Sequence, residues 1–400
     1  VASSRNVIVA GAGIGGLTAA LALAQGGFRV SLIEQTETLE ETGAGIQVSP
    51  NATRILLALG LGDRLRADCV APDAIEVHSA SGRRLVTIPL GASAEKRYGA
   101  PYWVTHRADL QAALLEAVRA HPDITLSLGT RVEDFVLHGN GVSVACRRGA
   151  ETADQQGIAL VAADGLWSGL RTRLGYDVQP RFRRRTAWRA LLPAEHVAPE
   201  FRGPRVHLWL GRNAHLVHYP VRGGALINIV AIVRDRMAKP GWSEAGSRAE
   251  LIAHFARAPW ADAPCALIAR PASWHKWALY DLPPLRDATE GPVMLIGDAA
   301  HPMLPFLAQG AAMAIEDAAV LADHLAAAPD DPAATMRRAA RARRRRTARV
   351  QRAARRNSTR YHLGGPSAWA RDIYLAAVGG NMLLRSYDWL YDWRAIPPRS

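Results

Sequence analysis

Residues 5–10 (RNVIVA) form an apolar run short enough for a buried strand. A glycine turn follows, and then an Ala/Leu-rich stretch that predicts a helix ending near Gly26. Residues 28–34 (FRVSLIE) return to strand character, and strand–helix–strand predicts a parallel sheet with right-handed crossovers. NATRILLALGL (51–61), after the glycine-rich stretch 42–45, reads as another helix. The alternating segments 74–78 and 84–88 read as strands. From about 178 to 280 the pattern changes to short strand runs: RVHLWL (205–210), HLVHYPV (215–221) and ALINIVAIV (225–233). Arg222-Gly223-Gly224 between the last two predicts a hairpin turn. PVMLIG (292–297) is a buried strand again, and 305–325 continues into a long helix. The tail, 361–400, is turn-rich, but Trp369, Trp389 and Trp393 predict that it packs on the body. The expected class is α/β: a Rossmann-like domain into which a mainly antiparallel sheet is inserted.

Four hundred residues exceed the size at which one core usually stops growing, so two joined domains are expected. Apolar residues make up 49% and charged residues 21%, as in ordinary globular proteins, and no apolar run approaches the roughly 20 residues that span a bilayer. With no basic, apolar leader ahead of the first strand, the chain reads as cytoplasmic. Cys69, Cys146 and Cys265 are far apart and outside metal-ligand spacing, which suits a reducing compartment; no metal is expected.

The net charge of +13 resembles a nucleic-acid signature until it is localised. Removing the eleven arginines of 337–356 leaves +2 for the rest of the chain. Alanines among those arginines predict a long, solvated basic surface helix, with nucleic acid or an anionic surface as the remote alternative. Lysine occurs only three times, so a general preference for arginine explains part of the run.

Three motifs carry chemistry. Gly11-x-Gly13-x-Gly15-Gly16 lies between strand and helix, where a dinucleotide fingerprint belongs. Gly11 permits the turn, Gly13 lets backbone approach a pyrophosphate, and Gly16 lets helix and strand pack closely. Glu34 follows at the end of the second strand, where a carboxylate can accept ribose hydroxyls. The second motif, VAADGLWSGLR (161–171), contains Asp164-Gly165, Ser168 and Arg171. The third, running from Gly297-Asp298 through Gly310, puts an aspartate at a strand end and a glycine at a helix start. There Asp298 can bond a ribityl hydroxyl, and N–H groups near Gly310 and Ala311 can face an anionic flavin edge.

In this order the motifs resemble the class A flavoprotein monooxygenases, the single-component aromatic hydroxylases, from residue 5 to about 394. GAGIQVSPNA (43–52), HRADL (106–110), the segment 297–318 and DWLYDW (388–393) resemble the salicylate hydroxylase-like branch, which includes 3-hydroxybenzoate 6-hydroxylase and 6-hydroxynicotinate 3-monooxygenase. The resemblance implies an FAD-binding domain built from 1–71, 101–177 and 281–330, a substrate domain from 72–100 and 178–280, and a C-terminal helical segment over 331–400. It also implies FAD contacts at Glu34, Gln35, Arg107 and Asp298, and along the backbone at Gly45, Gln47, Val132, Gly310 and Ala311.

The activity implied is hydroxylation of a small phenolic or hydroxy-heteroaromatic acid through a flavin C4a-hydroperoxide. NADH or NADPH would serve as a transient donor and O2 as co-substrate, in a monomer or homodimer with no nucleic-acid partner. An epoxidase or N-hydroxylase on the same scaffold is the alternative.

Period-two alternation puts His215, Val217 and Tyr219 on one strand face and Leu216 and His218 on the other. The resemblance makes His215 and Tyr219 the catalytic candidates; read alone, they are ordinary sheet residues. His301 is a third candidate, or else a residue that braces the approach to the helix. Trp188, Arg189 and Pro305 are candidates for the substrate pocket. Gln47 and Pro305 differ from residues at matching positions in the hydroxynicotinate and hydroxybenzoate enzymes, so the substrate stays open.

Overall fold

A computed structural model describes residues 5–39, 44–236, 244–256 and 258–395. Thr42 and Gly43 of the glycine-rich stretch lie outside them. The first apolar run, Asn6–Ala10, is the hub of a six-stranded sheet. It pairs in parallel with Arg29–Ile33 on one side and Ala159–Ala162 on the other. Ile124–Ser127 extends the sheet beyond Arg29–Ile33, and Val293–Leu295 then Thr289–Glu290 extend it beyond Ala159–Ala162. Strands buried on both faces read as continuous apolar runs, which is why these were visible in the sequence. Helix Ile14–Gln25, almost wholly buried, packs between this sheet and helix Gly310–Ala327.

A second, eight-stranded sheet runs in the spatial order Glu244–Gly246, Trp274–Asp281, Arg181–Pro193, Leu226–Arg234, Ala214–Val221, Arg205–Gly211, Ala74–Ser79 and Arg84–Pro89. All its pairings are antiparallel except that of Arg205–Gly211 with Ala74–Ser79. The expected hairpin turn is a tight 3-10 turn at Arg222–Gly224, with Arg222, Gly223 and Gly224 at positive φ.

Register decides which side chains share a face. Ala187, Ile232 and His215 align across three strands, as do Arg189, Val230 and Val217, and then Leu191, Asn228 and Tyr219. This inner face is covered by the segment around Leu304 and Phe306 and by Ala354. Trp188, Ala231 and Leu216 align on the outer face, where a separate core includes Trp209, Leu251, Phe255 and Trp274.

Two expectations change. The tail, turn-rich when read from its residues, is helical in keeping with the helical segment that the resemblance implies for 331–400: Gly365–Val378, Gly380–Arg385 and Asp388–Tyr391. Gly379 and Gly380 break it into short pieces, and Gly380 passes so close to the Thr87 carbonyl that a Cβ would lie 1.8 Å from its oxygen. The arginine helix, Pro332–Arg360, is not simply solvated either. Met336, Ala340, Arg343, Thr347, Val350 and Ala354 lie on a buried stripe, so Arg343 points into the protein.

Candidate active site

The glycine loop leaves the first strand at Gly11, whose φ of +103° only glycine adopts without strain. A Cβ on Gly16 would stand 1.8 Å from the Gly11 carbonyl oxygen, so the helix reaches this loop only without a side chain. Gly15 packs against Ala314. Gly13 faces open space at the N-terminus of Ile14–Gln25, with nothing within 4 Å of where a Cβ would stand. Backbone N–H groups and the positive end of the helix dipole therefore meet at an uncovered surface, as a diphosphate requires. Glu34 is buried and accepts the Ala12 N–H at 2.7 Å and the Thr36 N–H at 2.9 Å, which fixes its carboxylate beside the loop. Gln35 is exposed. Val132 follows Thr130, whose N–H donates to the Glu34 carbonyl, so it lies beside this end of the cleft.

Asp298 carries accessible surface even though burial pushes its carboxyl up, with the charges of His301 and Arg107 pulling it back. A carboxylate in the wall of a deep cleft has both properties. Arg107 is thereby placed near Asp298, and its backbone N–H donates to the Ala44 carbonyl at 2.8 Å. Gly310 also faces open space at the start of Gly310–Ala327, followed by half-buried Ala311. These residues fit an elongated flavin dinucleotide: diphosphate at Gly13, ribose at Glu34, ribityl chain at Asp298 and flavin edge at Gly310.

The second motif works as a brace. Asp164 accepts from Ser168 Oγ at 2.6 Å and from the Leu170 N–H at 3.1 Å. Buried Arg171 ties the turn to the third motif through the Ala299 carbonyl at 3.0 Å. His301 corrects an expectation. Its Nε2 lies 2.5 Å from Asp317, which also accepts the Gly297 N–H at 3.0 Å and Arg343 Nε at 2.7 Å. His301 thus braces the Gly297-Asp298 turn rather than joining His215 and Tyr219. Burial pushes Asp317 up, but the charges of His301 and Arg343 outweigh it and hold the carboxyl at about 2.

Glu316, next to Asp317 in the helix, takes Arg343 and Arg346, each at 2.6 Å, together with Asn51 at 2.6 Å. Gln309, capping the same helix, bonds Ser49 Oγ at 2.8 Å. The start of helix Gly310–Ala327 is therefore anchored by a buried polar network.

On the inner face, His215 Nδ1 lies 2.8 Å from His362 Nε2, with the rings of Phe306 and Tyr361 at 5.0 and 5.4 Å. Burial first, and then the Arg185 charge, lowers His215 to about 3, so it is neutral at physiological pH. Burial pushes the Tyr219 phenol up, opposed by Arg189 and by a hydrogen bond with Gln47, so it keeps its proton. Tyr102 donates to Gln47 Oε1 at 2.6 Å. Gly45 crosses directly over this face: its N–H donates to Asn228 Oδ1 at 2.6 Å, and a Cβ there would strike Asn228 and Tyr219. Arg189, with its guanidinium 3.9 Å over the Trp277 ring, shares this face. Pro305 adjoins Phe306 and is half-buried.

Trp188 corrects a second expectation. It stands on the outer face, fully buried against Gly246, and belongs to that core rather than to the pocket. Tyr102, Asn228, Phe306, Tyr361 and His362 escaped the sequence reading. Only Asn228, on the inward parity of 225–233, left a signal.

The sequence profile of the family described as FAD binding domain matches residues 4–357. The chain belongs to this family. The flavoprotein is 36% identical over 389 residues to 3-hydroxybenzoate 6-hydroxylase 1 of Aquipseudomonas alcaligenes, covering 97% of each chain. It is 38% identical to 3-amino-4-hydroxybenzoate 2-monooxygenase of Streptomyces cremeus, covering 96% of this chain and 94% of the relative. Its fold matches Klebsiella pneumoniae HpxO complexed with FAD and uric acid, with a TM-score of 0.84, 27% identity and 96% of each chain covered. The flavoprotein is an FAD-dependent aromatic monooxygenase. Among its described residues, no helix is long and apolar enough to cross a membrane.

Proposed function

We propose that this flavoprotein hydroxylates a small phenolic or hydroxy-heteroaromatic acid, consuming O2 and NADH or NADPH. The observation that carries the substrate class is the alignment of His215, Tyr219 and Arg189 on one sheet face, opposite the strand that bears Gly45 and Gln47. Bound FAD supplies the activation of O2 and the transfer of one oxygen atom to the ring. Gly11–Gly16, Glu34, Gln35, Arg107, Val132, Asp298, Gly310 and Ala311 hold it. The protein's own part is to bind and orient the ring, keep water away and take a proton from its hydroxyl.

With Nδ1–H donating to His362, Nε2 of the neutral His215 is the atom that accepts that proton; burial holds the free imidazole at about 3, so the negative charge left on the substrate oxygen has to stabilise the imidazolium as it forms. Tyr219, which stays protonated, donates to the substrate oxygen. Arg189 supplies the positive charge for a carboxylate. Phe306 and Tyr361 wall the site with apolar surface and exclude water. The relatives that act on hydroxybenzoates support this reading.

The test is a panel of aromatic acids scored for stimulated NADH and NADPH oxidation by the FAD-loaded protein, with product masses measured. A product heavier by one oxygen is expected, and the same masses reveal whether carbon dioxide is lost. If no phenolic or hydroxy-heteroaromatic acid yields an oxygenated product, the reading fails. His215→Ala should retain FAD while coupled hydroxylation falls by about 10²-fold or more, the usual worth of a general base. Undiminished coupling would remove His215 from that role.

A further inference from the structure

The outer face of the large sheet, opposite the one that bears His215 and Tyr219, holds a second cluster of chemistry-bearing side chains. Glu76 and His78 sit two apart on strand Ala74–Ser79 and so share a face. The parallel neighbour places His207 opposite Glu76, with Trp209 opposite His78. All three ligand-bearing residues are buried. His78 Nε2 is 3.4 Å from Glu76 Oε2, His207 Nδ1 is 3.6 Å from the same oxygen, and the two nitrogens are 3.4 Å apart. A charge-assisted hydrogen bond between imidazole and carboxylate is about 2.7–2.9 Å long, so these spacings are too wide for good ones. They suit three donors about 2.0–2.2 Å from one tetrahedral cation, which stand roughly 3.4 Å apart.

The surroundings hold the donors in place. Glu76 Oε1 accepts from Arg205 at 2.7 Å, which leaves Oε2 turned toward the imidazoles. His78 stacks on Trp209 at 4.3 Å and His207 on His218 at 4.5 Å, so neither ring is free to rotate. The far nitrogens, His78 Nδ1 and His207 Nε2, have no hydrogen-bond partner among the described residues and are buried. No hydrogen bond at their other ends therefore explains why the two imidazoles converge on one carboxylate.

We propose that Glu76, His78 and His207 bind one divalent transition-metal ion of the zinc type, with a fourth position left to water or a small anion. Two imidazoles and a carboxylate select such an ion over magnesium or calcium, which prefer all-oxygen shells. The ion clips strand Ala74–Ser79 to strand Arg205–Gly211, joining parts of the sheet that are distant in sequence. Its role is structural, since the site lies on the opposite face from the flavin cleft.

The experiment uses tag-free, FAD-loaded protein stripped with a chelator, dialysed and titrated with zinc chloride in a calorimeter. Cobalt(II) is added in parallel to read tetrahedral visible bands beyond the flavin absorption. One equivalent of zinc per chain and a higher melting temperature in excess zinc are expected. Glu76→Gln and His207→Phe should each weaken zinc binding more than about tenfold, while the surface control His196→Ala leaves it unchanged. Flavin absorbance and far-UV circular dichroism verify that each variant is folded; Glu76→Gln, nearly isosteric, serves if His207→Phe does not fold. Absence of zinc uptake overturns the proposal, as does stoichiometric binding that survives Glu76→Gln with full affinity.

Discussion

His215 and His362 share a single hydrogen bond, so the tautomer of one dictates the tautomer of the other. Replacing His362 with Phe removes the acceptor that fixes His215 Nδ1–H. The expected result is a roughly tenfold lower kcat with an altered pH profile and retained FAD, because positioning is lost while the base remains. A drop in FAD content with an unchanged pH profile would make His362 a packing residue instead. At the cofactor, Gly16→Ala forces a Cβ into the Gly11 carbonyl, and the purified protein should be colourless. Yellow protein with normal FAD content would show that the loop can shift.

The glycine loop was legible because its positions demand glycine sterically. That His215 and Tyr219 share a strand face was legible from alternation, but only the resemblance singled them out from ordinary sheet residues. Trp188 and Arg189 were not separable, since adjacent strand residues must face opposite ways and only the register of neighbouring strands decides which faces inward. His362 left no mark because it arrives 147 residues after its partner.

At the scale of elements, the arginine helix shows how composition and position diverge. Arg343 and Arg345 are identical as letters, yet one is buried against Glu316 and Asp317 and the other is exposed. Arg343→Met leaves two buried carboxylates short of a partner and should cost about 3–5 kcal/mol in urea unfolding. Arg345→Ala should change stability by no more than about 0.5 kcal/mol. Equal effects from both substitutions would mean that the buried pairs carry no stability. The apolar stripe of this helix passes through Arg343 at helical spacing, so the buried site was readable from periodicity once charge was set aside. From its residues alone the tail looks turn-rich because glycines at 364, 365, 379 and 380 resemble turn signals, whereas they punctuate a series of helices, the state the resemblance implies. Glu76-x-His78 was likewise invisible as a ligand pair, because His207 comes 129 residues after His78 and meets it only in the fold.

For the molecule as a whole, buried neutral imidazoles set its response to acid. His215 is held at about 3, and His362, facing Arg185, Arg234 and Arg371, is also lowered by burial, while an unfolded histidine titrates near 6.5. Below about pH 6.5 the unfolded chain therefore binds protons that the folded chain does not, and stability falls as pH drops toward 4. His215 alone corresponds to roughly 3 kcal/mol over that interval. Asp317, held at about 2, removes more only at still lower pH, once an unfolded carboxyl would protonate. The urea midpoint at pH 5 should accordingly lie below that at pH 8; equal midpoints would show that these imidazoles are hydrated.

The strand order has a consequence for the nascent chain. Hairpin Ala74–Pro89 has its parallel neighbour at Arg205–Gly211, and Ala159–Ala162 has its neighbour at Val293–Leu295. At ribosomal speeds of about 5–20 residues per second, the early hairpin waits on the order of ten seconds with an unpaired edge. Neither sheet can close until well over half of the polypeptide has left the ribosome. Expression of soluble enzyme should therefore respond to chaperone supply and to synthesis rate more strongly than the stability of the finished molecule would suggest.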